Sequence, residues 1–135
     1  MSHAKSVLPE FAYETSITRR VLERIPDDRL DWKAHPKSHT IGWVGAHLAE
    51  IVGWPVGTLT ATEWDVNPVG GTRHQTPDLK SRQEILDLFD HNVAESKTTI
   101  AATSDEDFLT EWSLMDGGQT LLTLPRRNVL RTWVL

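Results

Sequence analysis

Ile85, Phe89, Val93 and Ile100 recur at helical spacing directly behind Ser81-Arg82-Gln83-Glu84, a serine at a cap position with a glutamate three residues on. A serine oxygen there accepts from the backbone N–H three residues ahead, while the glutamate reaches back to an otherwise orphaned donor. The pattern predicts a helix from about Ser81 to Ala102 with the four apolar side chains buried together. Two further stripes share the period. Between Pro9 and Ile25, the residues Phe11, Thr15, Thr18, Leu22 and Ile25 step by four, three, four and three, and Pro26 ends the run. Behind a Thr40 cap, Ile41, Val44, Leu48, Ile51, Val52, Val56 and Leu59 form one broad face that extends to about Trp64. Pro55 lies inside that face, where a missing backbone N–H predicts a kink or a break.

The segments between the stripes read as loops. Pro26 to His39 carries prolines and clustered charge around Leu30 and Trp32, with Trp32 expected to plug the core, and Asp65 to Asp78 contains Asn67-Pro68 and Gly70-Gly71. Trp112 to Met115 and Thr120 to Leu124 flank Asp116-Gly117-Gly118-Gln119, a hairpin signal that predicts a short two-stranded ribbon. Pro125 is placed to open a final helix with Val129, Leu130, Trp133 and Val134 on one side. That helix reads as interrupted: it carries no C-cap glycine or proline and closes on Val134 and Leu135. Another copy of the chain or a continuation is expected to cover Trp133, Val134 and Leu135.

At 135 residues the chain is expected to form one domain, residues 1–135, with a core large enough to need no disulfide or structural metal. The absence of cysteine excludes thiolate metal sites and cysteine nucleophiles, so any metal ligand must be His, Asp or Glu. A formal net charge of −5 and the lack of any Lys/Arg run argue against a nucleic acid partner. No stretch approaches the ~20 apolar residues of a membrane helix, and Met1 to Ser6 has no apolar signal core. The expected location is cytoplasmic.

Of the histidines, His47 has the most informative neighbours. Trp43, Glu50 and Trp54 stand at i−4, i+3 and i+7 on its side of the helix, so a carboxylate and two indoles frame the ring. That setting suits a metal ligand whose second nitrogen is held by a hydrogen bond. On spacing alone a histidine packed between tryptophans is the better fit, since one histidine does not make a metal site. His35 and His39 read as solvated loop residues, His74 as part of a glycine-rich loop, His91 as outward-facing, and His3 as part of a terminal tail. The chain has no G-x-S-x-G, no phosphate-binding glycine loop and no H-E-x-x-H.

The passage from Leu30-Asp31-Trp32-Lys33-Ala34-His35-Pro36-Lys37-Ser38 to Ile41-Gly42-Trp43-Val44-Gly45-Ala46-His47-Leu48-Ala49-Glu50 resembles the second-helix signature of the DinB-like (DinB/YfiT-like) superfamily. Asp105-Glu106-Asp107-Phe108, Trp112, Gly117-Gly118 and Pro125 to Arg131 extend the likeness. The resemblance implies an all-α fold, a four-helix bundle with a long crossover loop and room for one short β-hairpin before the last helix. It also implies a divalent metal, nickel or zinc, held by three histidines. His47 aligns with the first; the other two belong one helical turn apart on the last helix, in a stretch expected after Leu135, so the site in this chain is expected to be incomplete. The implied function is that of a metal-dependent enzyme, a hydrolase or thiol-dependent transferase acting on a small molecule, with a homodimer as the expected assembly. The alternative is a non-catalytic, stress-related bundle serving as a binding or oligomerisation module.

Overall fold

The computed structural model describes residues 2–135. The first helix, α1 (His3–Leu22), starts at Ser2, whose hydroxyl accepts from the Lys5 N–H at 3.1 Å. It begins six residues earlier than the apolar stripe suggests and carries Pro9 inside it. His3, expected in a loose tail, is anchored: its N–H donates to Asp105 Oδ1 at 2.7 Å and its ring lies against Phe108. After α1 the chain passes through a single 3-10 turn at Asp27–Arg29 and an exposed loop. Trp32 stands out in solvent there, 53% exposed, and does not plug the core.

Helix α2 (Ile41–Ile51) begins where Thr40 accepts from the Trp43 N–H at 3.0 Å. Its buried side is made of small residues, Gly42, Gly45, Ala46 and Ala49, while Val44, assigned to the apolar face by its spacing, is exposed. The small side allows close approach: a Cβ on Gly45 would stand 2.8 Å from Ile25 Cδ1 and 3.0 Å from Ile85 Cδ1. The helix breaks at Val52–Gly53, two residues before the proline. There Ser96 Oγ donates to the freed Val52 carbonyl at 2.6 Å and Asn92 Nδ2 to that of Ala49 at 3.0 Å. Pro55 then sits in the first turn of α3 (Trp54–Thr60), where its missing N–H has no helical partner to lose.

Helix α4 (Arg82–Ala102) follows the predicted bounds. Ser81 accepts from the Glu84 N–H at 3.1 Å, and the Glu84 carboxylate accepts from the Lys80 N–H at 2.6 Å, one residue outside the usual box. Ile85, Phe89 and Ile100 are fully buried, and Val93 packs on the same cluster. Helices α1, α2 and α3 all lie against α4, and the core gathers Phe11, Leu22, Phe89, Phe108 and Leu130.

The rest is a short helix, α5 (Asp105–Leu109), a three-stranded sheet, and α6 (Arg126–Trp133). The predicted ribbon is present as β2 (Glu111–Asp116) antiparallel to β3 (Gln119–Pro125), turning at Gly117 and Gly118 with φ of +60° and +82°. Positive φ at both turn positions gives the twist a tight hairpin needs, and glycine adopts it without strain. A third strand, β1 (Glu63–Asp65), pairs parallel to β2, so the order is β1-β2-β3. The fold is mainly helical, as expected, and the strand β1 enlarges the expected hairpin into a small mixed sheet. Asp65 ties the sheet corner together, accepting from the N–H groups of Asn67, Gly117 and Gly118 at 2.9, 3.0 and 2.7 Å. Among the described residues no helix is long and apolar enough to cross a membrane.

Candidate functional site

Helix periodicity puts His47 and Glu50 three positions apart on the same side of α2, where their side chains meet. His47 Nδ1 lies 3.1 Å from Glu50 Oε2, and Glu50 is only 7% exposed. Two more groups reach the same carboxylate from the loop that follows β1. His74 Nε2 approaches Glu50 Oε1 at 2.5 Å, and Thr76 Oγ1 donates to Oε2 at 2.5 Å while lying 3.3 Å from His47 Nδ1. The loop is held in place by the sheet: the Val66 N–H donates to the Met115 carbonyl at 3.0 Å and the His74 N–H to the Val66 carbonyl at 2.7 Å.

Burial pushes the Glu50 carboxyl upward, but the Thr76 hydroxyl and the two imidazoles together more than offset it and hold the group below its ordinary value. An ionised carboxylate can only accept, so His47 Nδ1 and His74 Nε2 both carry protons. With Nδ1 donating to Glu50, the His47 nitrogen left to face outward is Nε2, which has no hydrogen-bond partner among the described residues. Orientation is fixed by aromatic neighbours as well. The His47 ring stacks on Trp43 at 4.7 Å and meets the edge of Trp54 at 5.8 Å, while Trp64 of β1 touches both Trp54 and His74 at 5.5 and 5.0 Å.

His47 and His74 border a cavity of about 610 Å³, within the size range of small-molecule sites. Four tryptophans, Trp54, Trp64, Trp112 and Trp133, line it. The Trp112 indole N–H is buried there without an acceptor among the described residues. Arg126 is buried at the start of α6 and donates to the carbonyls of Ala61 and Asp107 at 2.8 and 3.2 Å, joining α3 and α5.

The structure thus brings His47, Glu50, Trp43 and Trp54 together as their helical spacing predicts, and it keeps His35 and His91 on the surface. His39 is exposed too, although its ring stacks on Trp43 at 3.5 Å. His74 is the correction: although exposed on the glycine-rich loop, it is returned to Glu50. Thr76 escaped sequence reading altogether, since it lies on no helical face and in no motif, and Trp64, expected at the end of the α2 face, stands in β1 instead, beyond the end of α3 at Thr60. Among the described residues no three His, Cys, Asp or Glu side chains are placed to hold one ion, and the two imidazoles share a carboxylate instead. What the set fits is one ligand with its outer support: an imidazole with Nδ1 held by a carboxylate and Nε2 free.

The family model of the DinB superfamily matches the chain over residues 10–128. No curated protein and no solved structure matches the chain.

Proposed function

The chain belongs to the DinB superfamily, and from that premise we propose that it is a metal-dependent enzyme acting on a small molecule, of the hydrolase or thiol-dependent transferase kind, with His47 as a metal ligand. The observation that carries this reading is the fixed ring of His47, whose Nδ1–H is held by Glu50 while Nε2 stays free at the edge of the cavity. A nickel or zinc ion bound there would lower the pKa of a coordinated water or thiol and orient the substrate. The protein's own residues do the rest. Glu50 sets the tautomer and tilt of His47, and Thr76 and His74 keep that carboxylate ionised and still. The tryptophan walls exclude water from the reacting end of the substrate. Within the same reading, α1, α2, α4 and α6 are the four helices of a bundle, and residues 61–81 are its long crossover.

A second reading, a non-catalytic binding or oligomerisation module, is favoured by Trp133, 37% exposed beside the cavity, which a second copy in a homodimer would cover. Metal analysis of the protein expressed with its native C-terminus separates the two. Equilibrated with nickel or zinc and then freed of excess, the enzyme reading expects one ion per chain, lost in His47→Ala with the fold retained by circular dichroism. A chain that takes up no stoichiometric metal, or keeps it without His47, leaves the binding module in possession.

A further inference from the structure

The cavity beside His47 has an unusual lining for a pocket meant to hold an anion or a neutral polar molecule. Four of the chain's six tryptophans line it, no lysine or arginine does, and its lining includes one carboxylate, Glu63. Glu63 is exposed and has no ion-pair partner among the described residues. The nearby guanidinium of Arg126 does not line the cavity and donates to the backbone carbonyls of Ala61 and Asp107. Trp54 and Trp64 meet at 5.5 Å with their planes inclined at 60°. Their planes are inclined, so the two indoles do not cover each other face to face, and both line the cavity.

Indole faces attract cations through the ring quadrupole, most strongly when the cation is stripped of water, as a quaternary or heavily alkylated ammonium readily is. We propose that the cavity binds an organic cation, an alkylated or quaternary ammonium group seated against Trp54 and Trp64 with Glu63 supplying the neutralising charge. The assignment rests on the reading of this cavity as the substrate site, and it names the substrate's chemical class: a small molecule with an ammonium head and room for a larger tail.

The test compares choline with 3,3-dimethyl-1-butanol, which has the same shape with carbon in place of the charged nitrogen. Titrations followed by tryptophan fluorescence and calorimetry use the whole chain with chelator present, so the outcome is independent of metal binding by His47. The expected result is choline bound about tenfold more tightly than the alcohol, the worth of one well-formed cation–π contact. Trp64→Leu is expected to bring the two ligands to parity, and the exposed Glu63→Gln to remove part of the preference while the fold is kept. Equal or tighter binding of the alcohol overturns the proposal and makes the cavity a simple apolar one. Binding of neither ligand to the wild-type chain overturns it as well.

Discussion

Helix α2 and the loop over residues 66–81 deliver two residues each to one carboxylate cluster, and they do so by opposite means. His47 and Glu50 are placed by the helix itself, three residues apart on a backbone buried through Gly45, Ala46 and Ala49. His74 and Thr76 are placed from a distance, on a mostly exposed segment whose course depends on the Val66 and Met115 backbone pairing and on Glu50 itself. The first half of the cluster therefore exists as soon as α2 packs on α4, whereas the second needs the sheet. The difference teaches that the two histidines, though both bound to Glu50, should respond separately to perturbation.

The largest expected effect lies on the helix side. A side chain at Gly45 has no room between Ile25 and Ile85, the latter fully buried, so Gly45→Val should cost about 3 kcal/mol by overpacking. Urea unfolding measures it, and the loss should be global, with helix and cluster failing together. A Gly45→Val protein of unchanged midpoint would mean that α2 can move off α4 freely, and the contrast between a rigid and a borrowed half of the site would collapse.

Removing the shared acceptor probes the loop side. Glu50→Ala deprives His47, His74 and Thr76 of their acceptor at once, and because both rings are about a third exposed, water replaces part of what is lost. The expected cost is about 2 kcal/mol. Its distribution matters more than its size: amide exchange should quicken in residues 66–81, at His74 above all, while the α2 amides stay protected. If the loop amides keep their protection in Glu50→Ala, the sheet alone holds the loop and Glu50 is only a passenger of it.

The same contrast governs what could be read from the sequence. Helices α1 and α4 were legible because an apolar residue every three or four positions has one physical meaning, and the Ser81 cap fixed where α4 begins. His47 and its neighbours Trp43, Glu50 and Trp54 were legible for the same reason. His74 was not, because nothing in Gly70-Gly71-Thr72-Arg73-His74 has a period, and its place is set by a long-range pairing to Val66 and Glu50. Strand β1 was missed because its three residues look like the end of the preceding helical face, and only pairing with β2 makes them a strand. Trp32 failed in the other direction: a tryptophan among charged residues suggested a plug, but the loop that carries it is exposed.

A smaller effect comes from pH. The Glu50 carboxyl is held below its ordinary value of 4.5, so the folded state favours the ionised form more than the unfolded chain does. Its contribution to stability is complete above that value and is lost as pH falls through the lowered native one, because the unfolded chain takes up the proton first. Urea midpoints of the wild type measured from about pH 6 to about pH 3 should therefore decline more steeply than those of Glu50→Gln, which has no proton to take up there. Parallel acid limbs in the two proteins would show that Thr76, His47 and His74 do not favour the charged form.

The smallest effect on stability is expected at Asp65, and it bears most directly on whether the sheet positions the loop. The carboxylate is held below its ordinary value chiefly by the Asn67 N–H, with burial opposing it and the amides of Gly118 and Gly117 adding to it. It thus ties the start of the loop to the β2–β3 turn, whose glycines already adopt their positive φ without strain. Asp65→Ala removes an exposed tie and leaves the core untouched, so the melting temperature should hardly move. The amides of Gly117 and Gly118 should exchange about tenfold faster, as expected for local opening at a hairpin tip. A weakened corner should also let Val66 slip from the Met115 carbonyl, so the His74 amide, bonded to the Val66 carbonyl, should lose protection while the α2 amides do not. Faster exchange at Gly117 alone, with His74 unchanged, would show that the loop is anchored by Glu50 and not through the sheet. A cooperative fall in melting temperature would instead join the sheet to the helices as one unit, and the two halves of the cluster would no longer differ in how they are held.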